Sequence, residues 1–306
     1  WGRKMDAIGA GLTCYMGPDD IVPYPDNYVM STERHPMDHL AAELARRGWA
    51  SGQVGVEMEN YYYSARAHVV LVKALSDASI VDATALMNWQ RAVKSPDEIV
   101  FMRRAARIVE RMHDVASEMI APGVRKCDLV AEITATGYRG AEHAGVSFGG
   151  DYPAIIPLTP TGLDATAAHL TWNDKPLETG AGTFFEIAGC YRRYHAPLCR
   201  TVYLGTPPAD MLHAQDALLE GIEDGIAAAR PGNTAGDVAR AFYAVLAKHG
   251  IQREGRCGYP IGISYPPDWG ERTFSIRPED DTELVPNMTF HFRPGLWPVE
   301  WGLEST

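Results

Sequence analysis

The sequence predicts an α+β domain of two pseudo-twofold halves, preceded by a smaller α/β domain. Three observations carry that expectation. Between residues 35 and 92, helical and extended patterns alternate, as α/β sheets require. Ser95-Pro96-Asp97-Glu98 is then a strong helix start. Beyond it the chain repeats at one offset: Met102, Pro122-Gly123 and Asp128 recur as Met211, Pro231-Gly232 and Asp237, each 109 residues later.

Each element follows from its local pattern. His39–Arg47 is a short amphipathic segment stopped by Gly48, and Gln53–Glu57 is extended. Tyr61–Leu75 predicts a helix and Ser79–Val81 a second strand. At 95, serine caps, Pro96 suits the first helical position and Glu98 completes a capping box. The boundary therefore falls near 94, dividing 1–94 from 95–306. In both repeats a helical pattern of roughly twenty residues stops at Pro-Gly, and a second helix starts beside the Asp. Strands follow the helix pairs: Thr183–Tyr191 and Leu198–Leu204 between the repeats, Met288–Arg293 after the second. Such a duplication places a site between the halves.

Composition limits the function classes. Twenty-eight Lys+Arg against 39 Asp+Glu give a net charge of −11 over 306 residues. An acidic surface repels phosphate backbones and anionic lipid, so neither nucleic acid nor a membrane is expected as partner. No apolar run approaches the ~20 residues that span a bilayer, and no signal-peptide pattern opens the chain. The first residue is Trp1 rather than Met, so a preceding segment is expected. Five scattered cysteines without a Cys-x-x-Cys pair point to a reducing, cytoplasmic setting and away from a zinc ribbon.

Duplicated halves behind a smaller α/β domain resemble the creatinase and Xaa-Pro aminopeptidase superfamily with its pita-bread fold. The resemblance covers nearly the whole chain, less an initial stretch of the first domain and the last carboxy-terminal strand. It implies a homodimer. Metal-dependent members hold two ions with two Asp, one His and two Glu, and four of those five positions differ here. The first Asp corresponds to Glu186 in Phe184-Phe185-Glu186-Ile187-Ala188, and the second to Pro197 in Ala196-Pro197-Leu198-Cys199-Arg200-Thr201. The ligand His corresponds to Tyr259 in Gly258-Tyr259-Pro260-Ile261-Gly262. The Glu of the Glu-Pro-Gly segment corresponds to Arg293, and the last Glu to Glu304 in Gly302-Leu303-Glu304-Ser305-Thr306. Arginine offers no lone pair, and two carboxylates alone make a poor divalent site. The resemblance therefore implies no metal and no cofactor, as in creatinase.

Ala167-Ala168-His169-Leu170 resembles the segment carrying the family's catalytic histidine. Gly258 to Thr273, together with Ser31-Thr32-Glu33-Arg34-His35-Pro36-Met37-Asp38, is similar to the ectoine-hydrolysing branch, bacterial enzymes that open the cyclic amidine of a compatible solute. The resemblance thus implies a small zwitterionic substrate, ectoine or a relative, and the product N-acetyl-2,4-diaminobutyrate. The alternatives it leaves are a creatinase-like amidinohydrolase, a prolyl-peptide hydrolase, or an inactive peptide-binding module.

The residues bear on those alternatives. Strand alternation puts Phe184 and Glu186 on one face, and a carboxylate in so apolar a strand is either paired or catalytic. The resemblance favours catalysis, with Glu186 as nucleophile or general base, His169 as proton donor and Glu304 receiving the amidinium. Alone, His169 would read as a structural histidine and Glu304 as a surface acid. His291 and Arg293, both candidates for binding substrate, share a strand face. Arg293 either clamps a substrate carboxylate or neutralises a glutamate, and both readings stand. Tyr259 and Trp269 are candidate pocket walls on which a planar cation stacks. Tyr61-Tyr62-Tyr63 suits packing or a dimer face. A Gly-x-Ser-x-Gly elbow and a phosphate-binding glycine loop are both absent from the sequence.

Overall fold

In a computed structural model, residues 1–167 and 169–298 are described, and the chain forms two compact units, Trp1–Leu86 and Met87–Thr306. In the first unit, helix α1 (Pro36–Arg46) leads to strand β1 (Gly52–Val56), helix α2 (Ala65–Ala74) and strand β2 (Ala78–Asp82). The strands pair in parallel from Gly52↔Ala78 to Val56↔Asp82, so β1-α2-β2 is a crossover unit. Ala41, Leu71 and Leu75 form its buried core. α1 starts earlier than its apolar pattern because His35 is the cap: its Nδ1 accepts from the Met37 amide while Asp38 accepts from the His35 amide. α2 starts later, because Ser64 caps it and the three tyrosines precede that cap.

Residues 87–94 belong to the second unit. Lys94 N–H donates to Asn287 O, Val93 bridges Met288, and Asn88 donates to the Glu271 carbonyl. The sequence-based boundary near 94 therefore lies inside this unit. Helix α3 (Pro96–Met119) begins at the expected capping box, with Glu98 N–H donating to Ser95 Oγ at 3.3 Å and Ser95 N–H to Glu98 Oε2 at 2.8 Å. Helix α4 (Lys126–Arg139) packs against α3. Strands β3 (Ala181–Tyr191) and β4 (Tyr194–Leu204) form a long antiparallel hairpin. Helices α5 (Ala209–Ala228) and α6 (Ala235–Lys248) repeat the helix pair, followed by strands β5 (Gly258–Pro260) and β6 (Phe290–Phe292). Gly123 and Gly232, at matched repeat positions, both take left-handed φ values, +88° and +90°. The copies differ at the next helix start. Thr234 and Asp237 make a capping box on α6, whereas Arg125 gives α4 no side-chain cap.

Each half buries one face of its strands against its helices. Phe185 and Ile187 of β3 pack with Ile108, Val109, Met112, Leu129 and Ile133. Gly189 lets β3 approach α3, since a Cβ there would lie 2.1 Å from the Ala105 carbonyl oxygen. In the other half, Phe290 and Phe292 of β6 flank a core of Leu218, Val238, Phe242, Leu246 and Ile276. The alternate residues, Glu186 on β3 and His291 on β6, consequently face away from the helices. A Tyr194↔Ile263 bridge and a His195 N–H bond to Gly262 O join the two sets of strands.

Candidate active site

The site is assembled by strand register. In the β3–β4 hairpin Glu186 stands opposite Cys199 and Ala188 opposite Pro197, so these four side chains share a face. In the β5–β6 pair Tyr259 stands opposite His291. Glu186 is 3% exposed. Arg293 Nη2 lies 3.2 Å from its Oε2, and the Tyr259 hydroxyl donates to its Oε1 at 3.5 Å. Trp269 Nε1–H donates to the Tyr259 hydroxyl at 2.8 Å, and His291 Nδ1 lies 3.2 Å from the same oxygen. His291 Nε2 is 3.8 Å from Cys199 Sγ. The Arg293 guanidinium stacks between Phe184 and Trp297, 5.1 Å from each ring centroid.

Charge and burial oppose one another here. Burial raises the Glu186 carboxyl above the ordinary range, while Arg293, then His169, Tyr259 and Arg256, act to lower it. Burial also pushes His291 down to about 3, reinforced by Arg293 and Arg256, so its ring is neutral near pH 7. The Tyr259 phenol is raised, chiefly by burial and then by Glu186, and stays protonated.

The loop carrying Trp269 is pinned by a buried ion pair. Lys94 Nζ donates to Glu271 Oε2 at 2.5 Å and to Ala92 O at 3.2 Å, and both side chains are almost wholly buried. Glu271 N–H donates to Pro260 O, next to Tyr259, and Ile261 bridges Gly270. The absence of a Cβ at Gly262 leaves room for the Glu271 carboxylate, which such an atom would meet at 1.9 Å. Burial lifts Glu271 to about 7 against the pull of Lys94.

Among the candidates read from the sequence, Glu186, Tyr259, Arg293, His291 and Trp269 converge. His169 sits on an exposed turn from which its charge acts on Glu186. Glu304 lies outside the described residues. Arg293 lies beside Glu186, as one of its two anticipated roles requires. His291 and Trp269 both lie against the Tyr259 hydroxyl and are buried. Arg256 was not legible. It is exposed, and its guanidinium stacks 4.5 Å from the Tyr259 ring centroid. Only its position three residues before Tyr259 hinted at a role. The Lys94–Glu271 pair joins residues 177 apart in sequence and left no local signal.

The donor set does not suit a divalent metal. At the described ligand positions implied by the family resemblance stand Glu186, Pro197, Tyr259 and Arg293, and the guanidinium already lies against Glu186. Among the described residues, no cluster of three or more His, Cys, Asp or Glu is placed to hold a metal ion. Chemically, the arrangement offers a buried carboxyl group, raised by burial against the pull of Arg293, beside a fixed cation and a phenol donor.

Comparison with known proteins gives a consistent picture. The sequence pattern of metallopeptidase family M24 matches residues 100–305. An ectoine hydrolase of Halomonas elongata is 57% identical, with 100% of this chain and 77% of that protein covered. Among solved structures, the prolidase of Pyrococcus furiosus superposes with a TM-score of 0.78 at 17% identity, covering 99% of this chain and 81% of that one. The X-Pro aminopeptidase of Thermotoga maritima gives 0.73 at 17% identity, with 99% and 79% covered. These two establish the expected pita-bread fold. Among the described residues, no helix is long and apolar enough to cross a membrane.

Proposed function

Because this chain belongs to metallopeptidase family M24 while an arginine guanidinium lies where a metal ligand would be expected, we propose that it hydrolyses ectoine by carboxylate chemistry without a metal. The chain is an enzyme and a hydrolase. The observation that carries the rest is Glu186, buried in an apolar strand with Arg293 at one oxygen and the Tyr259 hydroxyl at the other. The 57% identity to an ectoine hydrolase supports the choice of substrate.

Ectoine is a cyclic amidinium bearing a carboxylate. Its ring carbon between the two nitrogens is electrophilic, and in this reading Glu186 faces it as a carboxylate, with Arg293 and the bound amidinium both favouring the ionised form against burial. Attack forms a C–O bond to that carbon and moves an electron pair onto a ring nitrogen. His169 protonates that nitrogen as the C–N bond breaks. Water then adds to the Glu186-bound carbon and Glu186 leaves, giving N-acetyl-2,4-diaminobutyrate, with one water consumed overall. If Glu186 instead acts as general base, the same atoms balance with water attacking first. Arg256, stacked on the Tyr259 ring, is assigned to the substrate carboxylate in this reading. Glu304 receives the amidinium N–H groups in this proposal. A cytoplasmic setting and a homodimer belong to the same reading, and sedimentation velocity at twice the 33.6 kDa chain mass checks the dimer.

The test is incubation of purified protein with ectoine and identification of the product by NMR. Appearance of an N-acetylated diaminobutyrate is expected, and an unchanged ectoine spectrum rejects the proposal. Three substitutions probe the roles. His169→Ala is expected to cut kcat by about 10²–10⁴-fold and to change KM less, because proton transfer matters mainly in the transition state. Arg256→Gln is expected to raise KM with kcat nearly constant; an unchanged KM removes Arg256 from carboxylate binding. In Arg293→Gln the carboxylate loses the leading charge that lowers its pKa. The acid limb of kcat/KM therefore moves to higher pH, and a stationary limb contradicts the pairing.

A further inference from the structure

The Tyr259 hydroxyl has one proton and, among the described residues, three polar neighbours. Trp269 Nε1–H, 2.8 Å away, can only donate, so it fills one lone pair of the phenol oxygen. Glu186 Oε1 at 3.5 Å and His291 Nδ1 at 3.2 Å remain as competing destinations for the tyrosine proton. An ionised carboxylate accepts only, and a charge-assisted bond outweighs one to a neutral imidazole. With the proton on the Glu186 side, an unprotonated Nδ1 would present its lone pair to the phenol oxygen at 3.2 Å, on a ring only 5% exposed. A protonated Nδ1 instead donates to that oxygen. The ring's other nitrogen then carries a lone pair, and Cys199 Sγ of β4 lies 3.8 Å from it.

We propose that His291 is a positioning residue: its neutral Nδ1–H tautomer donates to Tyr259 and, with Trp269, fills both lone pairs of the phenol oxygen, so that the Tyr259 proton is aimed at Glu186. The consequence is a carboxylate fixed at both ends, Oε1 by Tyr259 and Oε2 by Arg293, and oriented for attack. His291 touches neither substrate nor reacting atoms and acts only through Tyr259. This inference deepens the proposed function and rests on it for its kinetic effect, though not for its tautomer.

A double-mutant cycle tests the kinetic effect. His291→Leu is expected to lower kcat for ectoine by about 10- to 100-fold, the scale of a misaimed reacting group, with KM changed less than about threefold. His291→Asn, whose side-chain amide N–H falls near the Nδ1 position, is expected to recover most of that loss. In a Tyr259→Phe background, His291→Leu is expected to cost nothing further. An equal loss in both backgrounds overturns the proposal, because it means that His291 acts without Tyr259. The tautomer is tested in the wild-type chain without substrate, by 15N NMR of histidine-labelled protein with the His291 signal identified by its loss in His291→Asn. A proton on Nδ1 is expected, and a proton on Nε2 overturns the proposal whatever the kinetics show. Failure of the wild type to open ectoine rejects the proposed function instead and leaves the tautomer measurement decisive for His291.

Discussion

Glu186→Gln is expected to fold, to bind ectoine weakly and to hydrolyse it about 10⁴-fold or more slowly than the wild type, the scale seen when the group that attacks or deprotonates is lost. The amide keeps the shape and one acceptor for the Tyr259 hydroxyl, but it takes the anionic neighbour from the buried Arg293 guanidinium. A lower unfolding midpoint is therefore expected beside the loss of chemistry, and activity is compared under conditions where the variant is folded. The amide is not an anionic nucleophile and is almost non-basic, so neither direct attack nor water activation survives. Mass spectrometry of wild-type protein quenched within one turnover separates the two. An adduct on the peptide containing Glu186 is the expected result, because attack by the carboxylate itself needs no hydroxide. A clean peptide with free product points to the general base. Wild-type turnover in Glu186→Gln contradicts both versions.

The second large effect is on stability. Lys94→Met leaves the Glu271 carboxylate buried without its ammonium partner, a loss of about 3–5 kcal/mol for a pair broken from one side. The pH dependence has a definite sign. Glu271 already stands at about 7 in the folded chain, above its ordinary value of 4.5, and removing Lys94 raises it further. A folded-state carboxyl that holds its proton more tightly than the unfolded one favours folding at low pH, and this advantage is lost as pH rises through the folded value. The deficit of Lys94→Met against wild type should accordingly be smaller at pH 5 than at pH 8. Adding Glu271→Leu should restore much of the loss by removing the orphaned charge. Denaturant unfolding at the two pH values, compared by midpoint, checks both statements. A deficit independent of pH means that Glu271 is not the cause.

Local physics made much of the fold legible. The capping box at Ser95, the Pro-Gly stops and the matched spacing of the helix pairs are signals within a few residues, and all correspond to elements of the structure. Alternation alone put Glu186 on the strand face away from Phe185 and Ile187, which is the face that meets Tyr259. Element ends were less legible where an unusual residue set them. An imidazole caps α1, and Ser64, not the tyrosine run, starts α2. In the site, what escaped was whatever depends on strand register and distant packing. That Pro197 shares the Glu186 face follows from its pairing with Ala188, and that His291 meets the Tyr259 hydroxyl follows from the pairing of β5 with β6. Neither register is written in the strands themselves. Arg293 posed two readings in the sequence, and its place 3.2 Å from Glu186 was not written in either.

The proposed reaction of this family M24 member opens ectoine through Glu186 with no metal taking part. It is tested most directly by treating the protein with a chelator, establishing by elemental analysis that no stoichiometric divalent metal remains, and following ectoine by NMR. Ring opening at the untreated rate, unchanged by added zinc, manganese or cobalt, is the predicted result. Activity that disappears on chelation and returns only with one of those ions contradicts it.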